Sequence, residues 1–213
     1  GGGEIFNNKI ILKDELIDKY LKSFCGWGDL PINVCGKLYK MELVNDVPVT
    51  KLVYGEDLCF NLYVLPKAKK IVSIPDNIYF YVYGGITTNI NEERMYEDAI
   101  KQYSYKVSEF KKYGQFDLIE MANVELCNYF LSYVDEVIVK FSKKDAKDKM
   151  VQYLSNPILQ NACNSVSYDW FNNELKYQTL KRKDVDTLFK ERKKLAYKNK
   201  IKRQLLKILE NIL

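Results

Sequence analysis

Histidine is absent from all 213 residues. That excludes serine–histidine and cysteine–histidine nucleophilic catalysis and the usual zinc sites together. Any acid–base chemistry must fall to carboxylates, lysine, tyrosine or cysteine. The five cysteines (Cys25, Cys35, Cys59, Cys127, Cys163) never form a CxxC pair, and their scatter predicts reduced, mostly buried thiols of a cytosolic protein. No apolar run approaches the roughly 20 residues of a membrane-spanning helix. No basic segment followed by an apolar core opens the chain, so a signal peptide is not expected. Gly1–Gly3 read as an added remnant, and without an initiator methionine the natural protein is expected to begin upstream. Glycine- and serine-rich tracts, internal repeats and low-complexity segments are missing too. With 47% hydrophobic residues the chain is globular.

What is present is unevenly distributed. Residues 176–207 hold 13 Lys/Arg against 3 Asp/Glu, whereas the net charge of the whole is only +5. A mildly acidic body therefore carries a basic C-terminal tail.

Periodicity divides the chain near residue 90. "LKDELIDKYLKSF" (12–24) places Leu16, Ile17, Tyr20, Leu21 and Phe24 on one helical face. "CGWGDLP" (25–31) is loop, and Trp27 within it is assigned to the core. In "VYGEDLCFNLYVL" (53–65) Gly55 breaks the preceding structure. Glu56 and Asp57 then occupy a first helical turn, where the positive end of the helix dipole favours acids. Leu58, Leu62 and Leu65 follow at helical spacing, and Pro66 closes the segment. "KKIVSI" (69–74) and "IYFYVY" (78–83) read as two strands of a hairpin turned by "PDN". Beyond residue 91 the pattern is helical: 92–113, 117–140, 144–154, 168–180 and 184–212. A lone hairpin is marginal in water, so these strands ask for a larger sheet than the chain supplies.

"CGKLYKMELV" followed by "YGEDLCFNLYVLPKAKKIVSIPDNIYFYVYGGIT" resembles the family 2 glycosyltransferases of bacterial capsule, exopolysaccharide and lipopolysaccharide synthesis. The likeness covers roughly residues 4–95 and rests on five features in the family's order. They are the Lys-Leu-Tyr block, the Glu-Asp pair before an apolar helix, the "KAKKI" strand entry, the Tyr-rich strand and the Gly-Gly-Ile-Thr loop. It implies an α/β fold: residues 4–90 as the acceptor-side half of a GT-A-like domain, and residues 91–213 as a helical C-terminal domain. It also implies transfer of a sugar from a nucleotide diphosphate sugar to a saccharide or lipid-linked acceptor, with inversion, in the cytoplasm or at the inner face of the membrane. The resemblance makes Asp57 the general base and Glu56 its support. It further assigns substrate contacts to Lys37, Tyr79, Tyr81, Tyr83, Gly84, Gly85 and Thr87. A Mg²⁺ or Mn²⁺ on an Asp-x-Asp motif would serve the leaving diphosphate in the full-length parent.

The chain departs from that pattern twice. No apolar strand ending in Asp-x-Asp precedes residue 56, so no metal ligand is expected here and the chain alone is expected to be inactive. "DVD" (184–186) and "YEDA" (96–99) read as solvated acids on charged helices. Val82 stands where an arginine usually helps to hold diphosphate. The rival reading is a non-catalytic helical interaction module. For the tail "LAYKNKIKRQLLKILENIL", with Ile201, Leu205, Ile208 and Ile212 in a stripe, packing on the body ranks first. An anionic membrane surface ranks second and nucleic acid last.

Overall fold

The computed structural model describes residues 9–48, 51–76, 79, 91–167 and 174–210. It is mostly helical, with one small two-stranded antiparallel sheet. Two compact units divide the chain, Gly1–Glu125 and Leu126–Leu213.

In the first unit, β1 (Ile10–Leu12) pairs with β2 (Lys70–Val72), with Ile11 opposite Ile71. Alternation along these strands turns Ile11, 1% exposed, into the core, while Ile10, Leu12 and Val72 point outward. Residues 69–74 thus do contribute a strand, but the partner found for it is the segment before the first helix. The expected partner, 78–83, lies outside the described residues apart from Tyr79, which belongs to no strand.

A continuous helical segment follows β1. It comprises α1 (Lys13–Glu15), a π turn (Leu16–Tyr20) and a 3₁₀ turn (Leu21–Cys25), ending at Gly26 in the left-handed region. Leu16, Tyr20, Leu21 and Phe24 are buried along it, as their spacing predicts. Trp27 is 46% exposed, which corrects its assignment to the core: the glycines on either side of it leave it in the loop beyond the packed turn. The short α2 (Met41–Val44) precedes α3 (Glu56–Val64), which runs on into a 3₁₀ turn through Pro66. α4 (Glu92–Lys112) packs against α3, and Phe110 joins Leu58, Leu62, Phe24 and Ile11 in one core.

The division between the units falls inside α5 (Asp117–Lys140). In the second unit the rest of α5 is followed by α6 (Lys143–Leu154), α7 (Pro157–Ser165), α8 (Glu174–Arg182) and α9 (Val185–Glu210). Tyr133, Phe130, Met150, Leu154, Leu159 and Leu188 are buried here, and the Arg192 guanidinium forks onto Asp135 at 2.8 and 2.6 Å. Asn156-Pro157 does more than interrupt a helix. Asn156 Oδ1 accepts from the Ile158 and Leu159 amides, and Pro157 fills the first helical position, so the pair starts α7. Four of the five free cysteines are buried and Cys35 is half-buried.

Candidate functional site

The start of α3 is held from α4. Asp98, fully buried, accepts hydrogen bonds from the Val53 and Tyr54 amides at 2.8 and 3.1 Å and from Arg94 Nε at 3.1 Å. Burial alone would raise its pKa. The two amides and the Arg94 guanidinium outweigh that and hold it below the ordinary carboxylate value. Gln102 Nε2 donates to the Tyr54 carbonyl at 2.8 Å. Gly55 then turns the chain into the helix with φ +79°, and a Cβ there would stand 2.2 Å from the Gln102 side chain. The positive φ favours glycine here, and any Cβ would also displace the Gln102 amide from the Tyr54 carbonyl.

This scaffold places Glu56, exposed, and Asp57, half-buried, in the first turn of α3, as the sequence predicts. Both line a cleft of about 520 Å³ whose walls include Tyr39, Phe60, Tyr63 and Tyr105. Tyr39 and Phe60 meet edge to face, with centroids 5.2 Å apart. The Tyr39 hydroxyl donates to Asn61 Oδ1 at 2.7 Å, and Asn61 Nδ2 donates to the Ile32 carbonyl at 2.8 Å. The fully buried Asn61 thereby ties the 32–39 loop to α3. Burial, partly offset by the Asn61 contact, pushes the Tyr39 phenol up to about 12. Tyr63 donates to the Asp46 carbonyl at 2.7 Å. Tyr105 differs from these: its hydroxyl is buried with no hydrogen-bond partner among the described residues. Cys59 also lines the cleft, but burial pushes its thiol up to about 11, so it is no thiolate at neutral pH.

Lys37 is half-buried near this rim. Desolvation lowers its pKa and the Asp57 charge partly restores it, while its Nζ is hydrogen-bonded to Asn33. Tyr79 lies beside the same loop: a Cβ on Gly36 would be 3.7 Å from the Tyr79 Cβ. Hence Lys37, Glu56 and Asp57 come together and Tyr79 stands against the Gly36–Lys37 turn. Tyr81, Tyr83, Gly84, Gly85 and Thr87 lie outside the described residues.

The two decoy motifs resolve differently. Asp184 Oδ1 accepts from the Thr187 amide at 3.0 Å, and Asp186 pairs with Lys147, a charged-surface arrangement as expected. The expectation that both acids of "YEDA" are solvated fails at Asp98. Arg94 one turn earlier and the apolar Ala99 and Ile100 beside it were the available signals. Tyr63, Tyr105 and Asn61 were also missed as site residues, although a lone asparagine between Leu58 and Leu62 marks a buried polar anchor.

Among the described residues no group of three or more acids and cysteines could hold a metal ion. At the cleft, two carboxylates with a lysine charge nearby are not the six-oxygen donor set that Mg²⁺ or Mn²⁺ takes. Compared with protein-family models, with curated proteins and with solved structures, the chain matches none.

Proposed function

We propose that this cleft is the acceptor side of a nucleotide-sugar-dependent glycosyltransferase with a GT-A-like fold, and that Asp57 is its general base. The observation that carries the reading is the convergence of Glu56 and Asp57 with four aromatic rings on one cleft of about 520 Å³. A neutral alcohol is a poor nucleophile. A carboxylate at its hydroxyl takes the proton as the oxygen bonds to the anomeric carbon, and the bond to the diphosphate breaks with its electron pair on the phosphate oxygen. Aromatic rings suit the apolar C–H faces of a saccharide, and the Glu56 and Asp57 carboxylates suit its hydroxyls. Glu56 orients Asp57 or the acceptor, and Lys37 adds a positive charge near them. The donor and its cation belong to a nucleotide-binding half that the described residues do not form. This reading places the transfer at the cytoplasmic side, where nucleotide sugars are used.

The test is Asp57→Asn in the transferase assembled with its donor-binding half. Loss of the proton acceptor should cut turnover by about 10²–10⁴-fold while the fold persists, and Glu56→Gln should be milder. A variant that keeps its transfer rate would leave Asp57 only the complement of the α3 dipole. The rival reading, a non-catalytic helical module, draws on the exposed basic face of α9. It predicts that no saccharide protects the cleft aromatics from solvent.

A further inference from the structure

α9 has two unlike faces. Leu188, Phe189 and Ala196 are buried within the second unit, and Arg192 on the same side reaches Asp135. Steps of four from Leu188 and Ala196 then arrive at Lys200, so the buried stripe ends in charge. The apolar stripe continues on the other side: Tyr197, Ile201 and Leu205, at successive intervals of four, are 43%, 58% and 56% exposed. Lys190, Lys193, Lys194 and Lys198 surround them, all exposed, and line a shallow groove with Tyr197 and Ile201. From 190 to 205 the one acid is Glu191, half-buried at the edge of this face. Ile201 and Leu205 are therefore not packed as expected, the buried residues of α9 lying on its opposite face, and the side chains of Ile208 and Ile212 lie outside those described.

We infer that this outer face of α9 docks on the surface of an anionic lipid bilayer. Three features choose this occupant. Four exposed lysines against the single edge acid Glu191 complement phosphate-bearing headgroups. Tyr197, Ile201 and Leu205, spread over about 12 Å of helix, would enter the headgroup–acyl boundary, where an amphipathic helix buries its apolar side by roughly 5–10 Å. Lysines reach past such residues on alkyl stems and keep their ammonium groups at the headgroups. A nucleic-acid backbone would take the lysines but leave isoleucine and leucine hydrated. A second copy of the face would set lysine against lysine. Contact is interfacial, because no helix among the described residues is long and apolar enough to cross a membrane. The inference is independent of the sugar-transfer reading.

Flotation of the full chain with vesicles is the experiment. It should rise with phosphatidylcholine vesicles containing phosphatidylglycerol and not with phosphatidylcholine alone, and added salt should weaken the association. The triple variant Lys193→Glu, Lys194→Glu, Lys198→Glu should lose roughly a hundredfold in partitioning, about fivefold or more per lysine. Ile201→Ser with Leu205→Ser should lose roughly tenfold. All five positions are exposed, and circular dichroism checks that both variants stay helical. Failure to bind the anionic vesicles at low salt would overturn the inference. So would unchanged vesicle binding by either variant, or displacement from vesicles by duplex DNA with the Ser variant unaffected, which would make the face a nucleic-acid surface.

Discussion

Tyr105 is the residue at which stability and binding make opposite demands. A buried hydroxyl without a partner forfeits its hydrogen bond to water and gains nothing inside the protein, a deficit of about 1–3 kcal/mol. Tyr105→Phe should therefore leave thermal stability unchanged or raise it. If the hydroxyl serves a ligand of the cleft, the same change should weaken saccharide binding measured by calorimetry, by about tenfold for one good hydrogen bond. Stability that falls in Tyr105→Phe would mean the hydroxyl already has a structural partner. Asp57 was legible in the sequence because an acid after a glycine and before an apolar run marks a helix start. Tyr105 was not, since nothing local separates a tyrosine facing a cleft from the other sixteen.

Between α3 and α4 the decisive contact is Asp98. Its carboxylate gathers two amides of the 53–54 segment and one guanidinium, so it joins the elements more firmly than apolar contact alone. Asp98→Ala should leave both amides and Arg94 without their acceptor, and a loss of about 3 kcal/mol is expected in denaturant unfolding. Its pKa is depressed in the folded state, so its stabilisation is fully present well above the ordinary value of 3.8. It is lost as pH falls through that value and below. Unfolding midpoints should drop in that acid range for the native chain and more shallowly for Asp98→Asn; equal acid slopes would remove Asp98 as the anchor. At this scale the helices were readable from apolar spacing: 56–65, 92–113, 117–140 and 144–154 each match a helix within two residues. α7 is the exception: apolar spacing does not mark it, and its signal is Asn156-Pro157, a break that is also a cap and first-turn proline and so a start.

For the whole molecule, donor binding is the sharpest discriminator. The described residues bring no acidic cluster fit for a divalent ion to the cleft. The purified chain should therefore show no micromolar affinity for uridine or guanosine diphosphate sugars in calorimetry with Mn²⁺ present. Micromolar binding would reveal a donor site and overturn the division of labour proposed above. An acceptor-side saccharide signal without a nucleotide-sugar signal would fit it.

By itself the sequence determined where most of the longer helices lie, that the cysteines are mostly buried thiols, and that Glu56 and Asp57 open a helix. These depend on neighbours three or four residues apart or on side-chain chemistry alone. Tertiary structure decided what each apolar face meets. Strand 70–72 found Ile10–Leu12 some sixty residues upstream, a long-range pairing that leaves no local trace. Asp98 left solvent because two backbone amides were waiting for it. Trp27 stayed outside, and α9 buried Leu188 and Ala196 while presenting Ile201 and Leu205 to solvent. Periodicity tells which residues share a side of a helix. Only packing tells which side has a partner.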